Sequence, residues 1–397
     1  MRVPFRVLIP FFVLILFVFS GCLEDPVMPA SPAYVTPPSL HPLSDSMAAP
    51  IDTISHGEPG DSLIPPPASA PGELEQPGGK HRPDPLDPPS PPEPHSGHVE
   101  LGLLSDLTSL GTLYSAEDNW WNLEVDNAPV DPNSDDIIAT IESYEGTRGR
   151  VHPDFTPRYG IPYCVVGDET PRVDVEMRNT RESDTSDPDG VSGYPIPAAA
   201  ITDSRYIENS GDDSGDRHLL IYDRDTRTVF ELSYAQYVGG KWTAGYGAIF
   251  KVDSNYRRPD GWTSTDAAGL CVLAGLVRYD EVYGPEPIRH AIRVSLKRTN
   301  GYVWPASHEG ANDTNAPPLG MRLRLKDSVD LSESPPEMRK IFQAMKTYGL
   351  IVADRGGNMY VQGTMDGRWD NGMINPAFHS LRASDFEVIQ LGWRPTS

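Results

Sequence analysis

Short apolar runs recur along the second half of the chain. They occupy residues 218–222, 228–232, 248–252, 288–296 and 321–325, and Asp, Gly, Asn or Pro residues bound them. Runs of this length between turn-forming residues are typical of β-strands. The pattern therefore predicts a mainly β domain, and many short strands of this kind favour a β-sandwich or jelly-roll architecture.

Few segments have helical periodicity. A helix is expected to begin at Ser334, because Pro335 and Glu337 follow it at first-turn positions, and to end at Gly349. Apolar residues recur every three or four positions between these ends. A second, shorter helix is expected to begin near residues 131–134. The sequence thus predicts two or three short helices beside the strands.

The first 22 residues follow the order of a bacterial export signal. Basic residues precede an apolar run at residues 7–19, and Ser20-Gly21-Cys22 follows it. The run is shorter than the roughly 20 apolar residues that cross a bilayer. The Phe-Ser-Gly-Cys string resembles the lipobox of bacterial lipoproteins, although Phe19 replaces the usual Leu. The resemblance implies a diacylglycerol on Cys22; the alternative is an ordinary cleaved signal with a chance cysteine.

Composition divides the rest of the chain into two parts. Residues 23–98 contain 20 of the 41 prolines and lack apolar periodicity, which is typical of a disordered, semi-extended tether. All seven tryptophans follow residue 100. We therefore expect a signal peptide at 1–21, a tether at 22–99 and one β-rich globular domain at 100–397, with two smaller β units as the alternative.

Charge and cysteine content exclude several classes of partner. A net charge of −23 argues against nucleic acid, because phosphate binding needs a basic face. Cys164 and Cys271 lack CxxC or His-rich surroundings, so no thiolate metal site is expected, and they form either one disulfide or two separate buried thiols. The common cofactor motifs are absent, so no cofactor is expected.

Residues 261–270 and the acidic pair downstream offer carboxylates for glycoside hydrolysis. Trp262 could stack on a sugar ring, while Asp266 and Asp280 could supply the acid and the base or nucleophile. Asp280 and Glu281 would face opposite sides of an extended strand, so Asp266 must pair with one of them. The structural alternative is a capped turn at Ser264 or Thr265, with the acidic pair either solvated or salt-bridged to Arg278.

Two histidines are candidate proton carriers. His218 enters a predicted strand, and Asp216 or another carboxylate could orient it. His290 lies on the apolar face of the run at 288–296, where a histidine must find a hydrogen-bond partner. The alternative for each is a satisfied, half-buried structural histidine.

Arginines alternate with apolar residues in two predicted strands. Arg289 and Arg293 share one face of the first, and Arg322 and Arg324 share one face of the second. Neighbouring strands would combine them into a cationic stripe suited to carboxylate or sulfate groups. The alternative is a stripe neutralised by nearby acids. A weaker candidate is the aromatic loop at residues 302–309, where Trp304 could contact substrate.

Several longer stretches resemble a family of secreted bacterial and fungal proteins. The likeness covers roughly residues 162–391 and implies a single secreted domain, but no established activity comes with it. The stretches that carry it are GWTSTDAAGL, LVRYDEV, YVWPASH, GMRLRLK and KTYGLIVAD, together with Arg289-His290-Ala291.

Two functions remain open. The first is a lipid-anchored extracytoplasmic hydrolase or lyase acting on polysaccharide, and it requires Asp266, Asp280, His290 and Arg322 to converge in one cleft. The second is a non-catalytic surface protein that binds glycan or another envelope component. The candidate catalytic residues are Asp266, Asp280, His290 and His218, and the candidate substrate-binding residues are Trp262, Arg322, Arg289 and Trp304. The expected location is the cell envelope, with Leu23 after the cysteine implying the outer membrane or cell surface.

Overall fold

A computed structural model describes residues 110–144, 148–156, 159–209 and 215–395. Strands prevail over helices in this part of the chain, so the predicted mainly β class with few short helices is confirmed. The signal, Cys22 and the tether lie outside the described residues. No helix among those described combines the length and the apolar character needed to span a membrane.

The largest sheet has six strands and mixed direction. In spatial order the strands are β1 (His152–Asp154), β12 (Tyr360–Gln362), β9 (Ile292–Leu296), β11 (Leu350–Arg355), β10 (Arg322–Leu325) and β13 (Phe386–Val388). Strand β9 pairs in parallel with β11 and antiparallel with β12, while β10 pairs antiparallel with both β11 and β13. Strand β1 joins the outer side of β12 in parallel.

Two smaller sheets complete the strand content described. The four-stranded sheet runs in the order β2 (Tyr163–Val166), β4 (Leu219–Asp223), β5 (Thr228–Ser233) and β8 (Tyr246–Lys251). The three-stranded sheet runs in the order β3 (Val175–Met177), β7 (Lys241–Ala244) and β6 (Gln236–Val238). Each begins with one parallel pair and is otherwise antiparallel. The finer expectation of a sandwich or jelly roll stays a prediction.

Both predicted helices are present. The first, α1 (Ser134–Ser143), follows the predicted start, and α4 (Pro336–Thr347) ends just before Gly349, which has a φ of +76°. Glycine is favoured there because a left-handed residue ends a helix at low steric cost. The other described α-helices are α2 (Val272–Gly275), α3 (Tyr279–Tyr283) and α5 (Asn371–His379), and short 3-10 turns occur at Ala198–Ile201, Ser204–Tyr206 and Ala383–Asp385.

The four-stranded sheet is buried on both faces. Leu220 and Tyr222 pack into the main hydrophobic core, which also contains the six-stranded sheet and the helices. Leu219 and Ile221, on the opposite face of the same strand, pack into a second core with Trp242 of the three-stranded sheet. Burial on both faces explains why β4 is almost continuously apolar instead of alternating.

The segment at residues 276–296 differs from its predicted form. Asp280 and Glu281 lie in helix α3, and β9 begins only at Ile292 rather than at residue 288. The expectation that Asp280 and Glu281 lie on a strand was therefore wrong. A local contact favours the helical turn, because the Glu281 carboxylate pairs with Arg278 three residues earlier, at 2.6 Å.

Candidate functional site

A polar pocket of about 320 Å³ opens near the carboxyl end of β11. Three of its residues are aspartates, and one of these, Asp266, was a candidate from the sequence. We call it the Asp354 pocket. It is lined by Asp216, Ser233, Tyr234, Tyr246, Thr263, Ser264, Thr265, Asp266, Ala267, His308, Gly310 and Asp354.

Asp266 organises the loop at the floor of the pocket. Its Oδ1 accepts hydrogen bonds from the backbone N–H groups of Ala268 and Leu270 and from the Ser264 hydroxyl, each at 3.0 Å. The structural alternative for residues 261–270, a capped turn, therefore also fits the observed hydrogen bonds of this segment. Burial raises the pKa of Asp266, although Arg293 and these hydrogen bonds oppose the shift. The other oxygen, Oδ2, is buried and accepts no hydrogen bond.

Arg293 of β9 links two of the aspartates. Its Nη2 lies 3.4 Å from Asp266 Oδ2 and 3.5 Å from Asp354 Oδ2, and the side chain is 1% exposed. Its Nε and Nη1 are buried without a hydrogen-bond partner. A buried guanidinium needs compensating charge. The two carboxylates supply it, and the shared contact keeps them close to each other.

A bulge in β11 directs Asp354 toward Arg293. Ile351 and Val352 pair with Arg293 and Val294, but the register then shifts so that Asp354, not the residue before it, pairs with Ser295. Because Ser295 lies two residues after Arg293, it points to the same face, and Asp354 does so too. Without the extra residue Asp354 would point to the opposite face of the sheet.

Asp354 is the acid of the pocket that can be both protonated and reached. Its side chain is 20% exposed. Burial raises the pKa of Asp354 to about 6, with Asp266 and Asp216 adding to the rise and Arg293 opposing it. A carboxyl group with such a pKa can donate a proton near neutral pH.

Exposed side chains form the mouth of the pocket. Asp216 is exposed, and its carboxylate interacts with the Tyr234 hydroxyl and raises the pKa of that tyrosine. Tyr234 has a φ of +52°, which is rare for an aromatic residue. Its ring lies so close to Gly245 that a Cβ there would overlap it. The backbone strain at Tyr234 is the kind that accumulates at functional sites.

Two loops joined by hydrogen bonds build one rim. The Ser307 hydroxyl donates to the Trp262 carbonyl at 2.8 Å, and the Gly261 N–H donates to the Ser307 carbonyl at 2.7 Å. Arg257 donates from Nε to the Pro305 carbonyl at 2.9 Å. His308, at the end of the second loop, has Nδ1 3.0 Å from the Ala267 carbonyl. The aromatic loop and the Asp266 loop are therefore one structural unit.

A buried carboxylate supports the floor from below. Glu231 of β5 accepts hydrogen bonds from the Thr265 hydroxyl at 2.8 Å and from the N–H groups of Val272 and Leu273 at 3.2 and 3.0 Å. Both carboxylate oxygens of Glu231 accept hydrogen bonds from other residues of the protein. Glu231 therefore fixes Thr265 and the start of α2, and it is a structural residue.

His218 has no free ring nitrogen for proton transfer. Its Nδ1 lies 2.5 Å from Glu208 Oε2, and its Nε2 lies 2.9 Å from the Thr265 carbonyl. A carbonyl only accepts, so Nε2 must carry a hydrogen. Burial alone would lower the pKa of His218, but Glu208 outweighs it and the pKa rises to about 9. His218 is thus an imidazolium at neutral pH that positions Thr265.

Asp280 and His290 belong to a separate buried cluster. Asp280 accepts from Arg278 Nε at 3.2 Å and from the Leu110 N–H at 3.1 Å. His290 has Nδ1 2.8 Å from the Ala291 carbonyl and Nε2 3.1 Å from both oxygens of Glu281. Neither lines the Asp354 pocket. The expected pairing of Asp266 with Asp280 or Glu281 was therefore wrong: Arg293 pairs Asp266 with Asp354.

The predicted cationic stripe does not form. Strand β11 lies between β9 and β10, and Arg293 and Arg322 are buried. Arg322 donates to the carbonyls of Trp120, Leu123 and Tyr348, so it holds the segment before α1 against the sheet. Burial lowers the pKa of Arg322 to about 9. Arg289 is exposed and lies outside the Asp354 pocket.

The two candidate aromatic residues lie on the loops that form the rim. Trp262 is half-buried, with the Arg258 guanidinium 5.5 Å from its ring centroid. Trp304 is half-buried, packs edge-on against Trp120 at 6.4 Å, and has Arg394 4.8 Å from its ring centroid. Neither ring lines the pocket itself.

Both remaining cysteines are buried free thiols in the described structure. Cys271 Sγ lies 3.3 Å from Glu231 Oε1, and burial raises the pKa of both thiols. Of the two alternatives for Cys164 and Cys271, the structure has separate thiols. Within the described ranges, three exposed acids, Asp168, Glu169 and Asp225, have carboxylate oxygens within 4.8 Å of one another.

Sequence reasoning missed Arg293 and Asp354 as partners of Asp266. Two signals were present: an arginine in the middle of an apolar strand, and an aspartate at the end of one. A charge in such a run is either exposed or paired. Alternation assigned Arg293 to the exposed face, whereas the Asp266 loop covers that face.

The chain matches no protein-family description, no curated protein and no solved structure.

Proposed function

We propose that the Asp354 pocket is the active site of a lipid-anchored, extracytoplasmic enzyme that hydrolyses polysaccharide. The observation that carries the proposal is Asp354 itself, a one-fifth-exposed carboxyl group whose pKa of about 6 suits a proton donor. Glycoside hydrolysis needs such a donor beside a second carboxylate. Asp216 supplies the second carboxylate at the mouth of the same pocket.

The roles divide between the two reachable acids. Asp354 donates its proton to the glycosidic oxygen as the bond to the leaving sugar breaks. Asp216, exposed at the mouth, acts on the opposite side of the ring: it either takes a proton from the water that attacks the anomeric carbon or attacks that carbon itself, and water then releases the sugar from the covalent intermediate. Asp266 and Arg293 are positioning residues, because they act on Asp354 and are themselves almost fully buried.

Hydrolysis fits the pocket better than elimination. A lyase that acts on uronic acids must neutralise the substrate carboxylate so that the neighbouring proton becomes acidic. Among the described residues that line the pocket there is no arginine or lysine, the reachable carboxyl groups are Asp216 and Asp354, and Arg293 lies behind the acids with 1% exposure. We therefore favour the hydrolase over the lyase among the two reactions predicted from the sequence.

One observation favours the alternative of a non-catalytic glycan-binding protein. Both ring nitrogens of His218 and of His290 already have partners, so neither candidate proton carrier is free. Under this alternative the pocket binds a glycan without cleaving it.

The test is product formation by the full chain. Purified protein is incubated between pH 4 and 7 with neutral, amino-sugar and uronic-acid polysaccharides, and new reducing ends and unsaturated products are measured. We expect reducing ends from at least one polymer and a loss of about 10²-fold or more in Asp354→Asn, the usual effect of removing a general acid. Asp174→Asn is the matched control, because Asp174 is exposed and lies outside the pocket.

Absence of products from every polymer, or an Asp354→Asn variant as active as the parent, would contradict the hydrolase. Binding of a glycan that persists in Asp354→Asn without turnover by the parent would establish the alternative.

A further inference from the structure

We infer that Ser233 is a specificity-determining residue of the Asp354 pocket: its hydroxyl binds a hydroxyl group of the sugar unit, and the Tyr246 ring packs against the same unit. The inference rests on the proposed function and adds two substrate-binding residues to it. It follows from the hydrogen bonds of the hydroxyl groups that line the pocket and from the register between β5 and β8.

Four serine and threonine residues are among the described residues that line the pocket, and three of them use their hydroxyl groups within the protein. The Thr263 hydroxyl donates to the Asp266 carbonyl at 2.6 Å, and the Ser264 hydroxyl donates to the Asp266 carboxylate at 3.0 Å. The Thr265 hydroxyl donates to the Glu231 carboxylate at 2.8 Å. These three hydroxyl groups hold the loop in place and are not available as donors to a ligand.

Ser233 is the fourth residue of this set, and its hydroxyl differs from the other three. The residue is 2% exposed, and its Oγ has no hydrogen-bond partner within the part of the chain that the structure describes. A buried hydroxyl without a partner is costly in free energy, and such groups are uncommon in folded proteins. We therefore expect its partner to come from the pocket that it lines, as a ligand group that displaces water.

Strand β5 directs Ser233 toward the loop that carries Asp266. Side chains two residues apart on a strand share a face, so Ser233 points to the same side as Glu231. Because Glu231 contacts Thr265 of that loop, this face of β5 is the one that meets the floor of the pocket. Ser233, the last residue of β5, thus presents its hydroxyl beside the floor.

Tyr246 places an aromatic ring next to this hydroxyl. It is the first residue of β8 and pairs directly with Ser233 in the antiparallel register. Directly opposed residues point to the same face of a sheet, with Cβ atoms about 5 Å apart. Tyr246 is half-buried and also lines the pocket, so part of its ring can contact a ligand.

The pair suits a sugar because a sugar unit has both kinds of surface. Its C–H groups form an apolar face that packs against an aromatic ring, and its hydroxyl groups surround that face. A sugar hydroxyl, like that of Ser233, both donates and accepts hydrogen bonds, so the two match in either direction. A site that binds a substrate hydroxyl in this way discriminates against sugars that lack it, because the buried partner is then left unpaired.

Calorimetry on the full chain at pH 6 tests the contact. The probes are β-linked hexamers of glucose, mannose, xylose and N-acetylglucosamine. We expect at least one of them to bind with one site per chain, and Ser233→Ala to lose about tenfold in affinity for it. Tyr246→Leu should also lose about tenfold, whereas Tyr246→Phe, which keeps the ring, should stay within about twofold of the parent.

Urea unfolding separates a ligand contact from a structural one. Ser233→Ala should leave the urea midpoint unchanged, because the lost hydroxyl has no partner in the protein. The matched control is Ser134→Ala. Ser134 is also buried and lies outside the pocket, but its Oγ accepts a hydrogen bond from the Val388 N–H at 2.9 Å. This control should lower the urea midpoint and leave the affinity for the hexamer unchanged.

If Ser233→Ala binds the tightest hexamer as well as the parent does, the inference is wrong, and products from any polymer would still support the hydrolase. A fall in the urea midpoint as large as that of Ser134→Ala would also overturn the inference, because the hydroxyl would then have a structural partner. Failure of every hexamer to bind would overturn it as well. Weaker binding by Ser233→Ala, without products from any polymer, would support the contact and refute the hydrolase.

Discussion

Arg293 and Asp354 lie on neighbouring parallel strands, and their side chains meet at 3.5 Å because of the bulge in β11. Asp266 reaches the same guanidinium nitrogen from a loop at 3.4 Å. Three charged groups that are distant in sequence thus share one buried contact. The effect of this contact can be measured on the free energy of unfolding, on the pKa of Asp354 and on catalytic activity.

Arg293→Met should be strongly destabilising in a pH-dependent way. Loss of the guanidinium leaves two carboxyl groups without compensation, and breaking a buried pair costs about 3–5 kcal/mol in free energy of unfolding at pH 7. Near pH 5 the loss should be smaller, because Asp354, whose pKa is about 6, is then largely protonated and no longer needs the guanidinium. Urea denaturation at the two pH values measures it.

The control for that variant is Arg289→Met, in which an exposed arginine three residues before β9 is replaced. It should change stability by no more than about 0.5 kcal/mol. If Arg293→Met lowers the free energy of unfolding by the same amount at pH 5 and pH 7, the arginine stabilises the protein through packing and not through its charge.

Asp266→Asn should lower the pKa of Asp354. The negative charge of Asp266 is one of the causes that raise this pKa to about 6, and the asparagine removes it while retaining an oxygen for the backbone N–H groups. Carbon-13 NMR titration of the aspartate carboxyl groups measures the shift directly. In a pH–rate profile the alkaline limb near pH 6 should move to lower pH.

Asp174→Asn should leave the titration of Asp354 unchanged. An unaltered Asp354 titration in a folded Asp266→Asn variant would refute the positioning role of Asp266.

His218→Gln should destabilise the protein but should not abolish its catalytic activity. The pKa of His218 in the folded protein is about 9, above the 6.5 of an unperturbed histidine, so its stabilising contribution is complete below about pH 6.5 and is lost as pH rises through about 9. The difference corresponds to on the order of 3 kcal/mol. The variant should therefore differ most from the parent at pH 6 and least near pH 10 in thermal or urea unfolding.

The double variant His218→Gln, Glu208→Gln should recover part of the stability, since it no longer leaves a carboxylate without its partner. A stable His218→Gln protein with activity reduced as much as in Asp354→Asn would instead restore the histidine to a role in proton transfer.

Cys22→Ser should release the protein from the membrane. The Phe-Ser-Gly-Cys string resembles a lipobox, from which we predict lipidation of this cysteine, and the acyl chains would then provide the membrane affinity. Membrane fractionation and palmitate labelling of the producing cells measure the effect. Cys164→Ser is the matched control and should keep the label. A Cys22→Ser protein that stays membrane-bound and labelled would refute the lipid anchor.

Local pattern was sufficient for the elements with the clearest periodicity. The runs at residues 218–222 and 228–232 became β4 and β5, and the signals at Ser334 and Gly349 bounded α4 closely. These elements carry their own information, because strand and helix periodicities differ and the ends have characteristic residues.

The site could not be read in the same way, because it depends on non-local contacts. Asp354 is 61 residues from Arg293, and its direction depends on a one-residue bulge that alternation does not reveal. The same limit explains the wrong predictions. His290 and Arg322 are residue types that often act in catalytic sites, but here both have structural partners: His290 contacts the Glu281 carboxylate, and Arg322 donates to backbone carbonyls such as that of Leu123.

Gly269 restricts how this domain can diversify. It has a φ of +76°, and a Cβ there would overlap the Ser307 hydroxyl and the Trp262 carbonyl, which hold the two rim loops together. Any side chain would separate those loops and loosen the pocket as a whole. A lineage that acquires a different ligand must therefore change exposed mouth positions such as Asp216 and Tyr234, and keep Gly269 where the two rim loops meet.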